Sequence, residues 1–425
     1  MKNRKTAQTT LSGKKIEDWD FAGADTSYLT HGIHKYPARM IPQIANRLIK
    51  VYSKEDDTIL DPFCGSGTVL VESLLLRRNS VGNDINPLAV LLTKVKSTPI
   101  EFRKLNFNMT DFLSGINDGF KTNKLIEPPK DILPNLLHWF REDVACRLDF
   151  ILNEINKVKN DDIKDFLKVV FSKTVFDVSN IDHRSSRFIR ILQPDELSKF
   201  KPNTFAVFSK NTFDSLKMMN EFVREIEKLG LKRIPTVRIT KNDARKLPFK
   251  DNEFDCSITS PPYGEEKNTI GYARWSKLSV AWLKMNHGSM NKAEKNALGS
   301  MVNKDVVGRL KELPSKTTIN VLYELAKTDE ERVIDALPFF FDYLKTFEEV
   351  YRIVKDGAYY CVVVGDRMIR KRSLDMEKVT VELGNAAGFR HVNSFFRKIP
   401  MKMIPWKTPT GETISRESIV IFQKV

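Results

Sequence analysis

The chain has 425 residues, room for one large domain with insertions or for two to three ordinary ones. Hydrophobic residues at 41% and charged residues at 29% describe a soluble globular protein and exclude a disordered or membrane-embedded one. Lysine and arginine number 69 against 54 aspartates and glutamates, and a formal charge of +15 suits a polyanionic partner, of which nucleic acid is the commonest in a cytoplasm.

Residues 1–30 read as a polar N-terminal segment. Its start, Met1 to Lys15, is basic and lacks the apolar stretch of a secretion signal, and no later apolar run could span a bilayer, so a cytoplasmic location is expected. Ala38 to Tyr52 reads as an amphipathic helix with Ile41, Ile44, Leu48 and Tyr52 on one face. Thr58 to Phe63 is a short buried strand running into a Gly-rich turn, Val69 to Arg77 a helix, and Ser80 to Asp84 a second strand. Residues 101–235 change character and look largely helical, with 134–158, 161–176 and 212–229 the strongest segments. The last carries Leu216, Met219, Phe222, Val223, Ile226 and Leu229 at helical spacing and ends at Gly230. Arg184, Arg187 and Arg190 cluster here, either as a solvated helix face or as a phosphate clamp.

From residue 236 strands and helices alternate again. Phe254 to Thr259 is a strand, Phe340 to Val354 an amphipathic helix closed by Gly357, and Ala358 to Val364 an apolar strand. Arg390 to Phe396 and Glu417 to Phe422 are two terminal strands joined by a long loop; 286–335 is polar and irregular and reads as a second insertion. Such alternation implies a mostly parallel sheet covered by helices on both faces.

Three motifs carry chemistry. In Asp61-Pro62-Phe63-Cys64-Gly65-Ser66-Gly67-Thr68, Gly65 and Gly67 let the backbone turn sharply and approach a ligand closely. The run matches neither a dinucleotide fingerprint nor a P-loop. Asp84 ends the next strand, where an acid can accept both hydroxyls of a ribose. In Thr259-Ser260-Pro261-Pro262-Tyr263-Gly264, consecutive prolines fix the backbone and leave carbonyl acceptors without N–H donors. An exocyclic amine is a double donor, and a hydroxyl and a carbonyl accepting its hydrogens steer its lone pair toward an electrophilic methyl. Tyr263 offers a stacking face for a base taken out of the helix.

Cys64, Cys146, Cys256 and Cys361 are scattered with no metal-ligand spacing, which implies a reducing compartment and no metal. Cys64 and Cys256 read as small core residues, and the Pro-Cys pair of a carbon-5 cytosine enzyme does not occur. His31 and His34 read as structural or cofactor-shell residues, with catalytic bases as the alternative. Arg397, Lys398, Lys402 and Lys407 surround Trp406 in a stretch without acidic residues, a composition that favours DNA contact, and Arg367, Arg370, Lys371 and Arg372 extend the same patch.

Together, DPFCGSGT and TSPPYG resemble the amino-methyltransferase family of DNA modification enzymes. Ser-Pro-Pro-Tyr resembles its cytosine-N4 branch; Asp or Asn in place of Ser260 is more typical of adenine-N6 enzymes. His31 to Met40 resembles the segment that lines the methionine end of the cofactor, and Arg397 to Pro400 with Ile419 to Ile421 is similar to the terminal hairpin of the same branch. The likeness covers most of 30–100 and 240–425. It implies an α/β, Rossmann-like class I methyltransferase core from 31–100 and 236–425, with a doubly wound, mostly parallel sheet and a C-terminal antiparallel strand. Residues 101–235 are then a helical insertion and candidate target-recognition region.

The resemblance further implies S-adenosylmethionine as cofactor, held by Tyr36, Ala38, Asp61, Phe63, Gly65, Gly67, Thr68, Asp84, Ile85 and Asp243. Asp243 is distant from Asp84 in sequence, so the assignment needs a large insertion between the second and third strands. Ser260, Pro261, Pro262 and Tyr263 form the implied catalytic pocket, and Arg184, Arg187, Arg190, Arg397, Lys398, Lys402 and Lys407 are the expected DNA contacts. The implied activity is methylation of cytosine N4 in double-stranded DNA by base flipping and in-line attack, with a restriction endonuclease as functional partner by analogy. Three alternatives stand beside it: an adenine-N6 DNA enzyme, an RNA guanine-N2 methyltransferase, and an inactive DNA-binding subunit. The intact Ser260–Tyr263 motif speaks against the last.

Overall fold

Short runs rich in β-branched and apolar residues supply the strands Thr58–Asp61 (β1), Val237–Thr240 (β3), Phe254–Thr259 (β4) and Val354–Gly365 (β5), and the polar Asn79–Asn83 (β2) is held as a strand by its pairing with β1 and β3. Arg367–Ile369 (β6) and Arg372–Leu374 (β7) make a small hairpin, followed by Phe389–Lys398 (β8), Lys407–Thr408 (β9), Gly411–Glu412 (β10) and Arg416–Lys424 (β11). The computed structural model describes residues 18–122, 127–182, 189–191, 193–265, 269, 271–285, 296–300, 304–399, 407–408, 411–412 and 416–425.

The main sheet has the order β3-β2-β1-β4-β5-β11-β8. Neighbours pair in parallel except β11, which runs antiparallel between β5 and β8. This is the Rossmann-like class I methyltransferase architecture, a mostly parallel sheet with one C-terminal antiparallel strand. Strand order reverses between β1 and β4, and the crevice beyond their carboxyl ends is where open α/β sheets bind ligands.

Alternation sends successive side chains to opposite faces. On one face Leu60, Val362, Val364, Val420 and Phe422 pack with Phe340, Tyr343, Phe347 and Leu383. On the other Ile59, Ile258, Val363, Ile419 and Ile421 pack with Ile44, Leu48 and Leu70. Flanking helices near the crevice are Pro42–Tyr52 (α1), Thr68–Leu75 (α2) and Pro87–Ser97 (α3). The crossover from β2 to β3 carries Met109–Thr122 (α4), Leu136–Trp139 (α5), Glu142–Lys157 (α6), Asp161–Val178 (α7), Pro194–Lys199 (α8) and Thr204–Lys228 (α9). Their core, including Phe166, Phe171, Phe208 and Phe222, is continuous with Val71, Leu88 and Leu92 of α2 and α3. Tyr272–Trp282 (α10), Lys316–Ala326 (α11) and Glu330–Ile353 (α12) lie between β4 and β5, and Met376–Ala386 (α13) precedes β8.

Several elements differ from the sequence reading. The first helix begins at Pro42, not Ala38, because Ala38 takes a left-handed φ of 47° and Pro42 supplies the preset N-terminal turn. The stretch 286–335 is not simply irregular: it holds α11 and the start of α12, which runs through Pro338. Asp329 caps α12 by accepting from the Arg332 N–H, with Glu330 and Glu331 in the first turn, so the helix starts ten residues before Phe340. The core does not start near residue 30. Trp19 is buried against Phe395 at 5.1 Å with Arg47 over its ring, and Asp20 accepts from the Lys398 N–H at 2.6 Å.

Gly82 of β2 shows how tightly the sheet carries the first turn. A Cβ there would lie 2.9 Å from Leu70 Cδ2 and 3.0 Å from Cys64 Cβ. Gly82→Ala should destabilise the fold by roughly 1–3 kcal/mol through overpacking. Urea unfolding is the measurement, and an unchanged midpoint would contradict the packing described.

Candidate active site

β1 ends on Asp61, and the chain turns back through Gly65 (φ 51°) and Gly67 (φ 85°) before α2 begins at Thr68. Both values lie in the left-handed region that glycine enters without steric cost. The turn sits directly on α3: a Cβ at Gly67 would meet the Thr93 Cα at 3.0 Å, and Thr93 Oγ1 donates to the Gly65 carbonyl at 2.9 Å.

Asp84, just past β2, bridges two turns. One carboxylate oxygen accepts from the Gly65 N–H at 2.9 Å and the other from the Asn86 N–H at 2.8 Å. Burial pushes its pKa up to about 6 against the pull of these amides. Asp61 is buried too; it accepts from Thr259 Oγ1 at 2.6 Å and from the Phe63 N–H at 3.1 Å. Burial, reinforced by Asp84, pushes its pKa up to about 7 despite those two donors.

The Thr259–Asp61 bond joins the ends of β4 and β1, so Ser260 emerges beside the glycine turn. β3 brings the third strand end alongside. Asn83 accepts from the Asn242 N–H at 2.9 Å and donates to its carbonyl at 3.0 Å, which carries Asp243 to the same crevice across 160 residues of sequence. The Asp243 carboxylate is gripped by Arg245 through Nε and Nη2, the latter at 2.6 Å, and Arg245 Nη1 also reaches Asp342 at 2.8 Å.

These turns enclose one cleft of about 1050 Å³, the solvent at its mouth included. Tyr36, Ala38, Asp61, Phe63, Gly65, Thr68, Asp84, Ile85 and Asp243 line it together with Ser260 and Pro262. Gly67, Pro261 and Tyr263 shape the turns but do not form its wall. The wall includes Met40, from the segment likened to the methionine end, and residues that sequence reasoning missed, among them Asn86, Asn242, Tyr272 and 296–298. Asn86 had a local signal, since Asn-Pro before an apolar run marks a helix start, and its side chain does accept from the Leu88 N–H. It also donates to Ser276 Oγ at 2.7 Å and Tyr36 Oη at 3.3 Å, tying α10 over the cleft, where Tyr36 stacks on Tyr272.

Beyond Ser260 a chain of polar contacts leads away from the cleft. Ser260 Oγ lies 3.3 Å from Tyr263 Oη, which donates to Glu417 Oε1 at 3.3 Å, and Glu417 Oε2 lies 3.3 Å from Arg397 Nε. Arg397 is therefore buried at the end of β8 and is not an exposed loop residue reaching for DNA; Lys398, next to it, is exposed. Arg190 Nε donates to the His138 carbonyl at 2.8 Å. Arg184, Arg187 and Lys402 lie outside the described residues, and of Lys407 only the backbone in β9 is described. Arg367 does not extend a surface patch, being buried and paired with Glu265; Arg370 pairs with Asp329.

The two early histidines are built into the scaffold. His31 Nε2 contacts buried Glu72 at 2.8 Å, alongside Tyr28 and Asn46. His34 contacts Ser172 Oγ at 2.9 Å, and burial brings its pKa down to about 4, which leaves it neutral at physiological pH.

Comparison with known proteins places this cleft in context. The N6/N4 family model, described as a DNA methylase, matches residues 2–94. The type II methyltransferase M.MvaI of Kocuria varians is 33% identical over 97% of this chain and 94% of its own length. The chain belongs to the DNA amino-methyltransferase family. The type II methyltransferase M.MjaII of Methanocaldococcus jannaschii is 36% identical over 58% of this chain and 62% of its own. A S-adenosylmethionine-dependent methyltransferase of Methanosarcina mazei of known structure is 12% identical, covering 92% of this chain and 99% of that one at a TM-score of 0.33.

The enzyme is thus a DNA methyltransferase that uses S-adenosylmethionine, and its cleft fits that molecule. Asp61, Asp84 and Asp243 bring carboxylates to its wall, suited to a cationic ligand rich in hydroxyls. Ser66 Oγ, also in the wall, is buried without a hydrogen-bond partner among the described residues. Thr68 and Val69, the first residues of α2, line the same space.

Removing the strand-end bond should be visible in the titration of Asp61. Thr259→Val deletes a donor that stabilises the carboxylate, so the Asp61 pKa should rise above about 7. Carboxyl-carbon NMR across a pH series checks this, and an unshifted titration would show that the bond does not form.

Proposed function

We propose that this enzyme methylates the N4 amine of cytosine in double-stranded DNA at a specific site. The observation that carries the reading is the placement of Ser260 and Pro262 in the wall of the same cleft as Asp61, Gly65 and Asp84. Serine ahead of Pro-Pro supports cytosine N4, because a neutral hydroxyl here stands where adenine-N6 enzymes more typically carry an acid or amide. Similarity over nearly the whole length of a type II methyltransferase supports a role in restriction–modification, with a cognate endonuclease acting on the same sequence. The helical insertion 101–235 is the candidate reader of that sequence.

In this reading Asp84 accepts the ribose hydroxyls, Asp61 holds the amino-acid end, and Phe63, Ile85 and Asp243 border the adenine ring. Tyr36 and Ala38, with Gly65 and Thr68, line the methionine end, and Gly67 shapes the turn. Bound S-adenosylmethionine supplies an electrophilic methyl on a sulfonium, so the protein has no leaving group to activate. The chain's own residues align the nucleophile. Ser260 Oγ and a prolyl-loop carbonyl accept the two amine hydrogens, rotating the nitrogen lone pair out of conjugation and toward the methyl; the proton that the methylated nitrogen must shed leaves afterwards to water or a nearby acceptor. Pro261 and Pro262 contribute stiffness, since their φ is fixed and neither offers a competing N–H. Tyr263 bounds the space into which the base is flipped. Alignment of this kind supplies most of the acceleration for a reaction whose electrophile is already activated.

Product identity tests the assignment directly. After incubation with labelled S-adenosylmethionine and duplex DNA or RNA, enzymatic digestion and mass analysis should find N4-methyl-2′-deoxycytidine; label in N6-methyl-2′-deoxyadenosine would overturn the base, and label only in RNA the substrate. Ser260→Ala should lose turnover by roughly a hundredfold with cofactor binding intact, and Asp84→Ala should chiefly weaken cofactor binding.

Cofactor affinity should also depend on pH with a defined sign. Asp61 and Asp84 act as ionised acceptors, and their pKa values of about 7 and about 6 mean that acid neutralises them before binding. Affinity should therefore fall as pH drops from about 8 to 6, approaching tenfold per unit below the Asp61 pKa. Asp61→Asn should flatten that slope. Titration calorimetry across the range provides the check, and a flat wild-type profile would contradict it.

A further inference from the structure

We infer that Glu417, held by Arg397, is a positioning residue that fixes the direction of the hydrogen-bond chain through Tyr263 and so makes Ser260 an obligate acceptor toward the target amine. The inference rests on Ser260 acting as proposed above and adds what orients it. A serine hydroxyl can donate or accept, and nothing in Ser260 alone decides between them. If its proton points at the base it meets the amine hydrogens head-on. Catalysis then needs that proton pointed elsewhere.

The polar chain behind the cleft provides the instruction. Arg397 carries donors only, and Glu417, directly across from it in the β8–β11 register, carries acceptors only when ionised. With Oε2 facing Arg397, Oε1 faces Tyr263 and takes its hydroxyl proton. The Tyr263 oxygen is left to accept, so the Ser260 proton turns toward it over 3.3 Å. Both Ser260 lone pairs then face the cleft. Arg397 is buried and Glu417 is mostly covered, which limits the water that could supply alternative partners, so the polarity set at β8 passes to Ser260. Neither Glu417 nor Arg397 lines the cleft, so their effect on the reaction passes through Tyr263.

An isosteric substitution tests the polarity itself. In Glu417→Gln the Arg397 cation, 3.3 Å from the carboxylate in the native pair, favours the amide oxygen on its side, which turns the amide NH2 toward Tyr263. Tyr263 must then accept, its proton points at Ser260, and the Ser260 proton points at the base. E417Q should lower the single-turnover methylation rate roughly tenfold to a hundredfold, the scale of one misdirected buried hydrogen bond, with dissociation constants for DNA and S-adenosylmethionine within about twofold of wild type. Tyr263→Phe keeps the ring, cuts the chain and frees the Ser260 hydroxyl to rotate, so its loss should be smaller. The double variant should match Y263F, the second change relieving the first. A structural role for Glu417 predicts instead that E417Q is neutral or that the two losses multiply, and either result overturns the inference. Should E417Q fail to fold, Y263F alone decides, and a wild-type rate there overturns it. A slow Ser260→Ala with E417Q and Y263F at full rate sinks only this inference; a fully active Ser260→Ala sinks the reading of the pocket as well.

Discussion

The hydrogen bond from Thr259 to Asp61 joins the last residue of β4 to the last residue of β1 at the point where strand order reverses. A buried carboxylate needs donors, and Thr259 and the Phe63 amide supply them from two different loops. Both loops are thereby fixed to one atom group. The glycine turn that follows Asp61 and the prolyl turn that follows Thr259 leave the sheet side by side, and their proximity is a consequence of that shared carboxylate as much as of strand pairing. Asp84 repeats the device on the other flank, accepting amides from the glycine turn and from the start of α3. Two acids that would each prefer open water, Asp61 buried and Asp84 partly so, are used to set loop geometry, and the loss of hydration pushes the pKa of both up.

The same logic extends outward. Glu265, immediately after the SPPYG turn, is buried between Arg332 of α12 at 2.5 Å and Arg367 of β6. Arg245 links Asp243 to Asp342 of α12. Buried ion pairs add little net stability once desolvation is counted, but removing one partner is costly. Such pairs therefore select one arrangement of loops over its neighbours rather than deepening the fold as a whole. The glycine turn, the Asp84 turn and the prolyl turn at the crevice are each held by such a pair or by a carboxylate accepting amides.

Much of this was legible in the sequence where chemistry is local. Gly65 and Gly67 announce a turn because only glycine enters left-handed backbone freely, and Pro261-Pro262 announces a rigid one. Asp84 one strand later completed the pattern. What could not be read were partners distant along the chain: Glu417 for Tyr263, Asp342 for Arg245, Arg367 for Glu265. A charged residue gives no sign of which opposite charge it will meet, and so Arg397 and Arg367 read as surface cations when both are buried. Pro338 obscured the start of α12, because a proline suggests a helix break and the capping by Asp329 that carries the helix past it lies nine residues earlier. Asp243 was named through the resemblance alone; β3, the four-residue strand that carries it to the crevice, gives only a weak signal of its own.

The prolyl turn and the glycine turn face one cleft, the reaction space of the proposed methyl transfer. A crystal structure of the enzyme with target duplex and a cofactor analogue bearing an amine in place of the sulfonium methyl measures it directly. The account predicts an extrahelical cytosine whose N4 lies within hydrogen-bonding distance of Ser260 Oγ, with the analogue amine on the other side of that nitrogen and its ribose on Asp84. A target base that remains stacked in the duplex, or an N4 nearer to any other side chain than to Ser260, would contradict it.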